Sequence, residues 1–229
     1  MIKRAEIIVV MAKEPTPGRV KTRLQSRFSA EEAAQLAAAA LRDTQRAALA
    51  ARIPRRVLCW DGDPSDFADG FDVLPQRAGN LNDRLTGAFD DLGRNDSARV
   101  MLIGMDTPQI SSALLDADWE NCDAVLGLSD DGGFWAIGLR ISNPERVFAG
   151  IEMSTARTGS AQLARLLSLG LSVKLLPPLR DIDEPTDAAY VADHFPGLEF
   201  SQCYAALTLA GPQLGHTWRG LAAYGGLSE

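Results

Sequence analysis

The feature that most constrains this chain is an alternation. Short, almost unbroken apolar runs are separated by longer stretches with helical character. Residues 6–11, 56–60, 100–104, 124–128, 134–139 and 172–176 read as strands, and several of them lack the polar alternation of a half-exposed sheet. Strands of that kind must be covered on both faces. Helices are expected over 81–92, 111–116, 156–169 and 186–194. The clearest helix begins at Ser29, where Glu32 completes a capping box, and runs through alanine-rich sequence to Ala51. Gly170 ends a helix just before the last strand, an ordinary helix-to-strand joint. Strand–helix alternation of this kind predicts an α/β fold, a three-layer α/β/α sandwich around a mostly parallel, Rossmann-like sheet.

At 229 residues the chain is long enough for one well-buried domain and short for two. No linker divides it. Residues 1–195 are expected to form the nucleotide-binding domain, and 196–229 a helix and loop-rich tail packed on it. The alanine-rich helix is either core or a subunit contact in a homo-oligomer, core being the more frequent case. No apolar run is long enough to span a bilayer. The N-terminal apolar stretch covers only Ile7 to Ala12 and no cleavage site follows, so it reads as a strand, with the cytoplasm as the expected location.

Composition removes several function classes. Cys59, Cys122 and Cys203 are far apart and odd in number, against a zinc site or a disulfide framework. His194 and His216 both fall late, which leaves little for a histidine-based triad. The formal charge is 23 − 30 = −7 with no basic tract, against nonspecific nucleic-acid binding. An acidic chain that handles phosphates needs placed cations or a metal.

In open α/β sheets, ligands bind at the carboxyl ends of the strands. The first strand is followed by a loop carrying Lys13, Pro17, Gly18, Arg19, Lys21 and Arg23, with three cations in the five positions 19–23. Such a loop suits a di- or triphosphate, although a solvated basic loop has the same composition, and the Walker A spacing is absent. Asp106 follows the strand 100–104 and is either a ligand for Mg²⁺ or Mn²⁺ or a turn residue before Thr107-Pro108. Asp130-Asp131-Gly132-Gly133 is a turn, or a place where a ligand approaches the backbone closely. In Asp181-Ile182-Asp183 the two carboxylates fall at i and i+2, on one side of an extended segment, and could face one metal. Asp183 could also cap the helix starting near Pro185. Together these groups would converge on one rim.

The ordered set Ala12-Lys13-x-Pro15-x-Pro17-Gly18-x-x-Lys21-Thr22-Arg23-Leu24, Gly104-x-Asp106-x-Pro108, Asp131-Gly132-Gly133-Phe134-Trp135-x-Ile137-Gly138-Leu139 and Asp181-Ile182-Asp183-x-Pro185-x-Asp187 resembles one family. This is the DUF2064 family of GT-A-fold, glycosyltransferase-like proteins, some associated with arsenosugar biosynthesis. More distantly the set is similar to nucleotidylyltransferases of the 2-phospholactate guanylyltransferase group. The resemblance covers residues 5–195 and stops before the tail.

The resemblance implies a GT-A nucleotide-diphospho-sugar transferase fold, with Asp106 at the metal-binding position after the central strand. It implies that Lys21 and Arg23 bind phosphate and that Asp181 and Asp183 bind metal. A looser match over 76–85 places Arg84 near the nucleotide. One departure matters: the usual Asp-x-Asp is here Asp106-Thr107-Pro108, so a second ligand must come from Asp131 or Asp183. The implied activity is transfer from a nucleotide-sugar to a small-molecule acceptor with Mg²⁺ or Mn²⁺, Asp131 being the candidate general base. Nucleotidyl transfer from an NTP to a phosphorylated acceptor, with release of pyrophosphate, is the alternative. A non-catalytic nucleotide-binding protein is the third reading.

Overall fold

The computed structural model describes residues 5–64, 66–92, 98–140 and 143–210. The segment 211–229, expected as a loop-rich tail and containing His216, lies outside them. Strands β1 (Ile7–Lys13), β2 (Arg55–Asp61), β3 (Asp72–Pro75), β4 (Val100–Gly104), β5 (Ala124–Ser129), β6 (Phe134–Leu139) and β7 (Val173–Leu179) form one sheet in the order β3-β2-β1-β4-β6-β5-β7. All neighbours are parallel except β6, which runs antiparallel between β4 and β5. β3 was not expected from the sequence. It has four residues, none of them buried, and lies at the sheet edge where no apolar run is required. β7 is the opposite edge, the position in which Pro177 and Pro178 can be accommodated in a strand.

The continuous apolar runs are explained by two covered faces. Ile8 and Val10 of β1 belong to one buried cluster, Ile7 and Val9 to another. The first cluster meets α1 (Ala30–Ala50) and α3 (Ser112–Leu115). The second meets α2 (Leu81–Leu92), α4 (Glu145–Phe148) and α5 (Thr158–Ser168). A third cluster lies on the far side of α1, where α6 (Pro185–His194) and α7 (Glu199–Ala210) pack.

α1 is therefore sandwiched, and this accounts for its alanines. Ala34 and Ala37 face the sheet, while Ala33, Ala39 and Ala40 face the third cluster, all nearly inaccessible to solvent. Small side chains let the helix approach both layers. Of the two readings of this helix, core is the one realised within the chain. Its start follows the sequence signal: Ser29 accepts from the Glu32 N–H at 3.1 Å, and Glu32 accepts from the Ser29 N–H at 2.7 Å.

α7 is pinned to α1 by a buried carboxylate. Asp43 accepts the N–H groups of Glu199 (3.1 Å) and Phe200 (2.8 Å) at the first turn of α7. No described helix is long and apolar enough to cross a membrane.

Candidate active site

A cleft of about 730 Å³ opens at the carboxyl ends of β1, β4 and β5. Because β6 is antiparallel, its first residues, Phe134 and Trp135, line the same cleft.

The loop after β1 enters it as a pegged structure. The Glu14 N–H donates to the Asp61 carbonyl at 2.8 Å, and Val20 and Leu24 are buried. Between those pegs Lys21 adopts a left-handed conformation (φ 46°), an arrangement a non-glycine residue holds only when its surroundings enforce it. Its side chain is 8% exposed, with Nζ 2.7 Å from Asp106 Oδ1 and 3.3 Å from Asp183 Oδ1. Nζ also donates to the Ile182 carbonyl. Burial alone would pull the Lys21 pKa down. Asp106 and Asp183 outweigh it, by charge and by hydrogen bond, and hold the pKa above the ordinary lysine value.

Arg23 pairs with Asp183 at 3.2 Å from a more exposed position. Lys13 lines the cleft and donates to the Arg19 carbonyl at 3.0 Å. Arg84, on α2, lines it as well, donating to Asp61 at 3.3 Å and to Gln76 Oε1 at 3.2 Å. Gln76 in turn donates to the carbonyls of Ala12 (2.8 Å) and Cys59 (3.0 Å), tying Arg84 to the ends of β1 and β2. Pro17, Gly18 and Arg19 are exposed, and none of the three lines the cleft. Gly18 has φ +75° with open space around it, so its part is to let the loop turn.

The clustered carboxylates come from two strand ends, Asp131 after β5 and Asp181 and Asp183 after β7. Asp131, Asp181 and Asp183 each place an oxygen within 4.8 Å of the others. The i, i+2 geometry holds: Ile182 is 1% exposed in the third cluster while its two neighbours line the cleft. The Ile182 N–H donates to the Asp106 carbonyl at 2.9 Å, joining this segment to the end of β4. Asp183 does not cap α6. Glu184 is the N-cap, its N–H donating to Asp187 at 2.8 Å with Pro185 in the first turn, so the Asp183 carboxylate stays in the cleft.

The glycines beside Asp131 serve chain packing. Gly132 has φ +90°, and a Cβ there would lie 2.1 Å from the Ala156 carbonyl oxygen. The Gly159 N–H donates to the Gly132 carbonyl at 2.7 Å, and Asp131 accepts the Gly133 N–H at 2.7 Å. This contact brings Met153, Ser154, Thr155, Ala156 and Thr158 to the cleft. Nothing in that segment signals a site in the sequence, since it carries neither a charged motif nor a glycine pattern. Ser154 is left-handed (φ 60°), which only the structure reveals.

Burial pushes the Asp181 carboxyl up to about 7, and the charges of Asp131 and Asp183 add to the shift. Three clustered carboxylates form a hard, oxygen-only donor set that fits a divalent cation such as Mg²⁺ or Mn²⁺. Asp106 stands beside this set, engaged by Lys21.

The raised pKa makes a prediction. In the unfolded chain Asp181 titrates near the usual aspartate value of about 4. The folded state therefore holds the proton more tightly between about 4 and 7, and native stability falls as pH rises through that window. Metal-free Asp181→Asn is expected to melt higher than wild type at pH 8, the difference vanishing toward pH 4. Parallel pH profiles for the two proteins would show that Asp181 is not the group responsible.

The sheet order and the cleft define the α/β fold of nucleotide-diphospho-sugar transferases and nucleotidylyltransferases. A protein of Desulfovibrio desulfuricans G20, provisionally described as a nucleotide-diphospho-sugar transferase, superposes with a TM-score of 0.81 at 25% identity, over 90% of this chain and 96% of its own. Two further structures share the fold. CMP:2-keto-3-deoxy-manno-octonic acid synthetase, complexed with CTP, matches with a TM-score of 0.52 at 12% identity, over 85% of this chain and 99% of its own. The 4-diphosphocytidyl-2C-methyl-D-erythritol synthase of Anaerococcus prevotii DSM 20548 matches with a TM-score of 0.51 at 10% identity, over 84% and 99%.

The model of DUF2064, described as an uncharacterized protein conserved in bacteria, matches residues 30–155. The chain belongs to that family. No curated protein matches it in sequence.

Proposed function

We propose that the chain is a transferase that takes a nucleotide-diphospho-sugar as donor and passes the glycosyl group to a small-molecule acceptor, using Mg²⁺ or Mn²⁺ held by carboxylates. The observation that carries this reading is the internal pairing of opposite charges at the rim. Lys21 reaches both Asp106 and Asp183, and Arg23 reaches Asp183. A metal–diphosphate pair brings the same two charges in complementary form. Its phosphates can draw Lys21 and Arg23 away from Asp183 while the cation takes over that carboxylate. A site with paired charges is thus matched to a ligand with paired charges.

In this reading Asp131, Asp181 and Asp183 hold the ion, which when bound offsets the negative charge developing on the leaving diphosphate. Lys21 and Arg23 orient the phosphates from the β1 side, and Lys13 and Arg84 also line the cleft. Asp106 holds the Lys21 ammonium in place. Asp131 faces the other two acids, so its role is ligand rather than free-standing general base.

Nucleotidyl transfer from an NTP is the second reading. It is favoured by the four cations lining the cleft, Lys13, Lys21, Arg23 and Arg84, which are enough for a triphosphate. The D. desulfuricans likeness favours the first.

A thermal-shift screen separates the two. At a ligand concentration 100-fold above Kd, stabilisation of about 2.7 kcal/mol is expected, or roughly 5–10 °C for a domain of this size. UDP- or GDP-sugars with Mn²⁺ should produce it, followed by slow release of nucleoside diphosphate. NTP binding followed by pyrophosphate release would support the second reading. Shifts without turnover would mark a binding protein. If no nucleotide with metal raises the melting temperature, the reading fails.

A further inference from the structure

The cations of the cleft are confined to one side, and we infer from this that the acceptor is an uncharged hydroxyl compound with an apolar face, not a phosphate or a carboxylate. The inference rests on the donor reading above and deepens it. All four lining cations come from the chain segments around β1 and from α2. The wall beyond β4 is built from residues 129–135 and 153–158, joined where Gly132 meets Ala156. Among the described residues, no lysine or arginine of this wall lines the cleft.

The nearby arginines are accounted for. Arg157 is exposed and outside the lining. Arg180 pairs with Asp130 at 3.3 Å and lies over the Tyr190 ring at 4.3 Å.

What the wall offers instead is apolar surface from Phe134 and Met153 and the exposed hydroxyl of Ser154, while Ser129 is buried and the Thr155 hydroxyl is engaged by Thr158 at 3.3 Å and the Arg157 N–H at 3.3 Å. Trp135 is nearly buried, its ring over Gly127 and its indole N–H spent on the Pro177 carbonyl at 3.1 Å, so it brings no donor to the cleft. Ser154 is exposed, lines the cleft and has a left-handed backbone. The charged groups on this side are Asp131 and Asp181, the carboxylates assigned above to the ion.

With the ion and the four lining cations committed to the donor's diphosphate, the wall itself supplies no cation to an anionic acceptor. A sugar or another alcohol needs only hydroxyl partners and an apolar face to lie on. The attacking group is then a hydroxyl oxygen. Its bond to the sugar's anomeric carbon forms as the bond from that carbon to the diphosphate breaks, and its proton leaves to solvent or a basic group. This is glycosyl transfer.

The test uses paired ligands on the full chain with Mg²⁺, with UDP and with GDP in separate series. Methyl glucoside is compared with glucose 6-phosphate, and glycerol with glycerol 3-phosphate, by saturation-transfer NMR titration. The neutral member of each pair is expected to bind at least ten-fold more tightly. Ser154→Lys, which places a cation in the wall, is expected to reverse the preference. Phosphate esters that bind the wild type as tightly as their alcohols overturn the inference. No nucleotide shift in the melting screen sinks the donor reading and this inference with it, whereas a nucleotide shift with phosphate esters bound as tightly as alcohols overturns the acceptor inference alone.

Discussion

Asp183→Ala is expected to weaken Mn²⁺ binding by at least about 100-fold, since residues one step removed from a metal already cost about 10–100-fold when changed. The size follows from where Asp183 stands. It shares the acid cluster with Asp131 and Asp181, and it also receives Lys21 at 3.3 Å and Arg23 at 3.2 Å. Its loss removes a ligand and leaves the buried Lys21 ammonium with Asp106 as its remaining carboxylate partner. Metal-free protein should therefore also be less stable. Asp183→Asn separates the two effects: the amide oxygen can still accept from Lys21, so stability is largely kept while metal affinity is still lost. Calorimetric titration with Mn²⁺, alongside melting of the metal-free proteins, measures both. If Asp183→Ala lowers the melting temperature and leaves Mn²⁺ affinity intact, Asp183 is only a partner for Lys21, and the proposed ion site is wrong.

The largest loss of stability is expected from a residue far from the cleft. Asp43→Ala should destabilise the fold by about 2–4 kcal/mol, because it strands the two N–H groups at the start of α7 that Asp43 accepts. That is a large part of the 5–15 kcal/mol or so available to a domain. The ion pair with Arg46 contributes little to the sum, since Arg46 is 61% exposed. Asp43→Asn keeps one acceptor and should recover about half of the loss. Urea denaturation followed by far-UV circular dichroism reads the effect. A variant that unfolds at the wild-type midpoint would mean that α7 does not depend on this cap.

The fold is legible where burial on both faces dictates it. β1, β4 and β5 are continuous apolar runs because they lie inside the sheet, and Ser29 with Glu32 announces α1 because capping is local chemistry. β3 and α4 are four residues each and satisfy no long-range pattern of their own, so the sequence does not announce them. In the cleft, the pairing of Asp181 with Asp183 follows from the period of an extended segment, and the structure brings Asp131 to them. The sequence counts the cations of the first loop but does not say which side of it faces inward. Lys21 turns in because its backbone is left-handed between two buried pegs, and Arg19 turns out. Asp106 follows a buried strand as expected, yet its partner is a lysine 85 positions earlier in the chain, a pairing that only tertiary structure creates. The wall at 153–158 is illegible for the same reason: it reaches the cleft because glycines let two backbones touch.

Ile182 carries a consequence for anyone wishing to shorten this protein. Among the described residues, every one that lines the cleft lies before position 195, so a fragment ending there would look sufficient on a motif map. Ile182, however, sits between two of the acids with its side chain in the cluster to which Phe200 and Tyr204 of α7 belong. Cutting at 195 would keep the reactive groups and remove part of the foundation that sets the spacing between them. The smallest working unit is larger than the set of residues that do the work.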